Sequence, residues 1–169
     1  MDRVEAFNSL PAGKLAEDLL AVCAAPAWGA ALIALRPYPS EEAIVAAADV
    51  AARRLSWSEV LQGLSAHPRI GERAQGDSRE AAWSRREQST AAGSGDDATK
   101  GALIAANHAY EDRFGHVFLI FASGRTQEEI LAAALARVGN DEETERAIVA
   151  DELRKIASLR LARLLDALG

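Results

Sequence analysis

The sequence predicts an all-α fold: a single-domain helical bundle, residues 1–169, of roughly seven to nine helices with one extended connector. Three observations carry this. Apolar residues recur at three- and four-residue spacing through most of the chain. Ser40, Ser56 and Thr126 stand where helices should begin, the last two followed three residues later by a glutamate. A single run, Val117-Phe118-Leu119-Ile120-Phe121-Ala122, has strand character, and no second strand is available to pair with it.

The elements follow in order. Leu15, Leu19, Leu20 and Cys23 fall at helical spacing after Pro11. Pro26 opens a second apolar stretch through Trp28, Leu32 and Leu35, which Arg36-Pro37-Tyr38-Pro39 breaks. Ser40 caps a helix expected to reach about Leu55, with Glu41 and Glu42 at its positive end and Ile44, Ala47, Ala51 and Leu55 inward. Ser56-Trp57-Ser58-Glu59 is a capping box for a short helix carrying Val60, Leu61 and Leu64 and ending near His67. Residues 69–77 read as a loop. Asp77 or Ser78 caps a helix to about Ala92, Gly93-Ser94-Gly95 is a turn, and a helix from about Asp97 to Phe114 is closed by Gly115. Leu103, Asn107, Tyr110 and Phe114 share one stripe of it, with His108 outside. After the 117–122 run, which is either a buried connector or a helix start, Thr126-Gln127-Glu128-Glu129 begins a helix that buries Ile130, Leu131, Leu135 and Val138 and stops at Gly139-Asn140. The last helix runs from Asp141 to about Leu168, roughly 40 Å at the standard rise. Its stripe is Leu153, Ile156, Arg160 and Leu164.

A formal charge of −6 argues against binding to nucleic acid or an anionic membrane, since both need clustered cations. Cys23 is the one cysteine, so neither an internal disulfide nor a cysteine zinc cluster is possible. A reducing, cytoplasmic setting is the simplest expectation. The N-terminal residues lack the basic and apolar regions of a signal peptide, and no stretch is apolar enough to span a bilayer.

Three groups of residues invite chemistry. His67-Pro68-Arg69-Ile70-Gly71-Glu72 holds one of three histidines. The residue before a proline is pushed out of helical geometry, so the imidazole, which titrates near neutrality, stands at a rigid corner. The plain alternative is a helix-ending turn with a surface histidine. Ser84, Glu87 and Gln88 lie at i, i+3 and i+4, so hydroxyl, carboxylate and amide share one helix face, either to hold a polar ligand or to meet solvent. Arg160, on an apolar stripe, either snorkels over its neighbours or meets an anionic or polar ligand.

Taken together, His67-Pro68-Arg69-Ile70-Gly71, Ser84-x-x-Glu87-Gln88, Asn107-x-x-Tyr110-x-x-Arg113-Phe114-Gly115-x-x-Phe118 and Glu152-Leu153-x-Lys155-Ile156-Ala157-x-Leu159-Arg160-Leu161 give a chain that resembles the OHCU decarboxylases. The resemblance extends from Phe7-Asn8 into the last helix. It implies an all-helical homodimer, without cofactor or metal, that converts 2-oxo-4-hydroxy-4-carboxy-5-ureidoimidazoline (OHCU) to (S)-allantoin. It places the catalytic pair on His67 and Glu87. Substrate binding falls on Pro68, Ser84, Gln88, the segment Leu119, Ile120, Phe121, Ala122 and Ser123, and Arg160. A second cysteine often found beside Cys23 is absent, away from the matched site. Two rivals remain open: a non-catalytic helical interaction module, which expects Glu87, Gln88 and Arg160 to be solvated, and a metal hydrolase, for which the scattered histidines lack a ligand pattern.

Overall fold

Several helix starts lie where short polar side chains serve orphaned backbone N–H groups. The computed structural model describes residues 2–69, 79–92 and 97–169, with 88–92 as backbone. Nine helices occur among the described residues: α1 (Arg3–Ser9), α2 (Ala12–Val22), α3 (Pro26–Ala34), α4 (Glu41–Arg53), α5 (Trp57–Leu64), α6 (Arg79–Ala92), α7 (Asp97–Phe114), α8 (Gln127–Arg137) and α9 (Glu142–Leu168). Reciprocal capping boxes join Ser56 to Glu59 and Thr126 to Glu129, and Ser40 caps α4 through the Ala43 N–H. Gly115 follows α7 at φ +80°, the left-handed conformation that glycine adopts most easily. The sequence reading passed over α1, which a third capping box, Asp2 with Glu5, starts.

The chain forms two compact units, residues 1–66 with 150–169 and residues 67–149. In the first, Phe7, Leu15, Leu19, Trp28, Leu32 and Ile44 are buried, as are Leu161 and Leu164 of α9. Small residues set the close approaches: a Cβ on Gly63 would lie 2.8 Å from Leu153 Cδ2, and one on Gly29 would lie 3.1 Å from Leu19 Cβ. Arg36 Nη1 caps the end of α1 on the carbonyls of Phe7, Asn8 and Leu10, at 3.0, 3.2 and 2.7 Å. In the second unit, α7 and α8 pack around Leu103, Ala106, Tyr110, Ile130 and Ala134, together with Phe118, Ile120 and Ala122 of the connector.

Several inward assignments shift. Leu135 is 62 % exposed, because α8 turns Gln127, Ile130, Ala134 and Arg137 inward and carries Leu135 about 100° round from Ala134. Leu131 and Val138 are half-buried. On α4 the buried row is Ile44, Ala48 and Ala51, leaving Ala47 and Leu55 half-buried. Leu20 and Leu35 are exposed. Helix α5 stops at Leu64, where the Ser65 hydroxyl donates to the Gln62 carbonyl at 2.6 Å, so the ladder ends before Pro68 would require it. The expected caps at Asp77 and Ser78, the loop beyond Arg69 and the turn at 93–95 lie outside the described residues.

Candidate active site

His67 and Pro68 follow the end of α5, outside any helix and half-buried. The corner is tied down one residue further on. Arg69 donates to Glu111 of α7 at two points, Nε to Oε1 at 2.5 Å and Nη2 to Oε2 at 3.0 Å. Such a fork fixes direction as well as distance. The hydrogen bonds from Arg69, and then its charge, hold the Glu111 carboxyl below the ordinary carboxylate range.

Helix α6 supplies Ser84 and Glu87. Both are buried, Glu87 at 7 % exposure, with Ala81 and Trp83 buried nearby on the same helix. The Ser84 hydroxyl donates to Glu80 Oε1 at 3.1 Å, and the Arg79 guanidinium lies 5.9 Å from the Trp83 ring centroid. A solvated polar face is therefore excluded for Ser84 and Glu87. The Gln88 side chain lies outside the described residues.

The 117–122 run is a connector with neither helix nor strand pairing, so the helix-start alternative falls away. It is nonetheless buried at Phe118, Leu119, Ile120 and Ala122. Buried peptide groups need partners, and side chains from beyond the connector provide two. Arg137 Nη1 donates to the Leu119 carbonyl at 2.8 Å, and Arg125 Nε donates to the Phe121 carbonyl at 3.0 Å. The Arg125 N–H closes a turn on the Ala122 carbonyl at 3.0 Å, and Ser123, half-buried, sits in that turn.

Behind the connector lies a buried charged cluster that the sequence reading missed. Arg137 grips Glu145 through Nη2 to Oε2 at 2.6 Å and Nε to Oε2 at 3.0 Å. The Tyr110 hydroxyl donates to the same Glu145 oxygen, and Asn140 Nδ2 donates to the other at 3.2 Å. Burial, with the Glu145 carboxylate added, pushes the Tyr110 hydroxyl far above its ordinary pKa. Two signals were available in the sequence: Tyr110 within the matched motif, and Glu145 only eight residues beyond Arg137.

The second unit thus contains His67, Pro68, Ser84, Glu87 and residues 119–123. Arg160 belongs to the first. It is 1 % exposed, which rules out snorkelling, and its Nη1 reaches the Ala21 carbonyl near the end of α2 at 3.4 Å. The interaction-module alternative expected Glu87 and Arg160 in solvent, and both are buried. Among the described residues no group of three or more His, Cys, Asp and Glu side chains could hold a metal ion, and no helix is long and apolar enough to cross a membrane.

Comparison with known proteins places the chain among its relatives. The chain is 37 % identical over 131 residues to the uric acid degradation bifunctional protein TTL of Arabidopsis thaliana, matching 76 % of this chain and 40 % of that protein. It is 33 % identical over 128 residues to the 2-oxo-4-hydroxy-4-carboxy-5-ureidoimidazoline decarboxylase of Haloferax volcanii, covering 75 % and 74 % of the two chains. Its fold is similar to that of an OHCU decarboxylase crystallised in the presence of (S)-allantoin, with a TM-score of 0.75, 31 % identity, and 89 % and 98 % of the two chains covered. With the OHCU decarboxylase family profile matching residues 8–162, the chain belongs to the OHCU decarboxylase family.

Proposed function

We propose that this chain decarboxylates OHCU to (S)-allantoin in urate degradation, as a single catalytic domain and without a cofactor. The family match over residues 8–162 carries the reading. The chemistry suits the residues. When the carbon–carboxylate bond breaks, its electron pair moves toward the adjacent ring C=N bond of the substrate. Carbon dioxide leaves, and a proton is delivered to one face of the carbon. The substrate supplies its own electron sink, so the protein's work is to fix one conformer, exclude water and place a proton.

His67 is the proton donor in this reading, presented at its tethered corner. Glu87 orients a ring N–H or the hydroxyl, and its charge repels the carboxylate until that charge departs as carbon dioxide. Pro68 and Ser84 line the substrate. Gln88 offers a donor and an acceptor to the cyclic urea edge, and the backbone of residues 119–123 offers the same pairing. Arg160 is assigned to substrate binding by its motif and by the planar fork that arginine presents to carboxylate or carbonyl oxygens. The active form is a homodimer in the cytoplasm; sedimentation of the purified chain at a single monomer mass would remove the dimer.

The deciding experiment supplies freshly generated OHCU and follows allantoin by circular dichroism. Rapid appearance of one enantiomer is expected. Product forming at the uncatalysed rate, as racemate, would overturn the assignment.

A further inference from the structure

The Arg137 cluster offers more than packing. Arg137 is 7 % exposed and Glu145 1 % exposed, and carrying this charge pair out of water is costly. Well-packed apolar residues of similar volume commonly stabilise such a site as well or better. Stability alone therefore does not call for an arginine here. What an apolar residue would lack is a hold on the Leu119 carbonyl.

That hold is tightly specified. One edge of the guanidinium is committed to Glu145, which Tyr110 of α7 and Asn140 fix in turn. One face lies 4.5 Å from the Phe118 ring centroid. The remaining Nη1 is aimed at the Leu119 carbonyl at 2.8 Å. The 119–120 peptide is trans, so within this planar unit the carbonyl of Leu119 and the N–H of Ile120 point in opposite directions. Anchoring the carbonyl on Arg137 therefore sets the direction of the Ile120 N–H, away from the cluster.

We propose that Arg137 is a positioning residue: locked by Glu145, it holds the Leu119 carbonyl so that the Ile120 N–H is preset to donate a hydrogen bond to substrate. This rests on the reading that residues 119–123 line the OHCU site. Presetting removes the cost of ordering a connector at the moment of binding.

The test replaces the cluster by apolar residues of similar size, Tyr110→Phe with Arg137→Met and Glu145→Leu, and compares it with Tyr110→Phe alone. The triple variant should fold, lose about tenfold in kcat/KM, mainly through KM, and keep the parent's pH profile, because the proton donor is untouched. Tyr110→Phe, which keeps the Arg137 anchor, should stay within about twofold of the parent. A folded triple variant as efficient as the parent overturns the inference and leaves the decarboxylase reading standing. A parent that does not turn over OHCU overturns both. The parent also carries a test that needs no variant: titration with (S)-allantoin should shift the Ile120 amide resonance. An Ile120 amide unmoved at saturation overturns the inference even if the triple variant fails to fold.

Discussion

Glu111→Ala tests how firmly the His67 corner must be held. The Arg69–Glu111 fork is a tether two residues beyond His67 on the chain, with side-chain exposures of 43 % and 18 %. Partial exposure discounts the pair, and two-point geometry restores part of it, giving about 0.5–1 kcal/mol. If that energy keeps the imidazole in its working placement, losing it lowers the competent population about two- to fivefold. The variant's kcat/KM should fall by that factor, while its melting temperature drops by no more than about 4 °C. Arg69→Ala should match it, and the double variant should be no worse than either, because each removes the same fork. The pH dependence has a definite sign. Arg69 lowers the folded pKa of Glu111 below its unfolded value, so the tether contributes fully above the unfolded pKa and is lost as pH falls through the depressed folded one. The parent's advantage over Glu111→Ala should therefore be constant near neutrality and vanish in acid. A folded Glu111→Ala with unchanged kcat/KM, or additive losses in the double variant, refutes the tether.

His67→Asn should keep its fold and melting temperature and lose about 10²–10⁴ in turnover; normal turnover by the folded variant ends the proton-donor role. Glu87→Gln retains size and reach at a buried position, so kcat should fall with little change in melting, and the product should drift toward racemate as uncatalysed decay overtakes it; fast, fully (S)-selective turnover removes the carboxylate from the mechanism. Arg160→Lys keeps charge but loses the fork, so KM should rise while α9 stays helical by circular dichroism; unchanged kinetics would leave Arg160 with a structural role at the end of α2.

What the sequence made legible was local. Capping at Ser40, Ser56 and Thr126 depends on residues within one turn, and each reading held. Helix α1 escaped because seven residues are too few to display a period. Leu135 was misplaced because the inward row of α8 includes Arg137, a charged residue that an apolar pattern does not pick out. Its burial depends on Glu145 across an intervening turn, and that pairing exists only once α8 and α9 meet. Burial of Arg160 was equally hidden, since its stripe allowed either a snorkelling or a buried cation. The candidate site residues were singled out by motif order, and periodicity alone did not separate Ser84 and Glu87 from an ordinary polar face.

Helix α9 divides between the two units, and this orders their completion as the chain is made. Residues 67–149 are contiguous, so the core around Tyr110 and Ile130 can close once α8 and the first turns of α9 have been synthesised. The unit that begins with α1 is made first and finished last. Phe7, Leu19 and Trp28 share their unit with the buried Leu153, Leu161 and Leu164, made more than a hundred residues later, so that unit is complete only then. Contacts of such long sequence separation form slowly, and the apolar faces of α2 to α5 remain exposed during that interval. A fragment ending near residue 149 should accordingly retain the folded α7–α8 pair while its earlier helices become the aggregation-prone part.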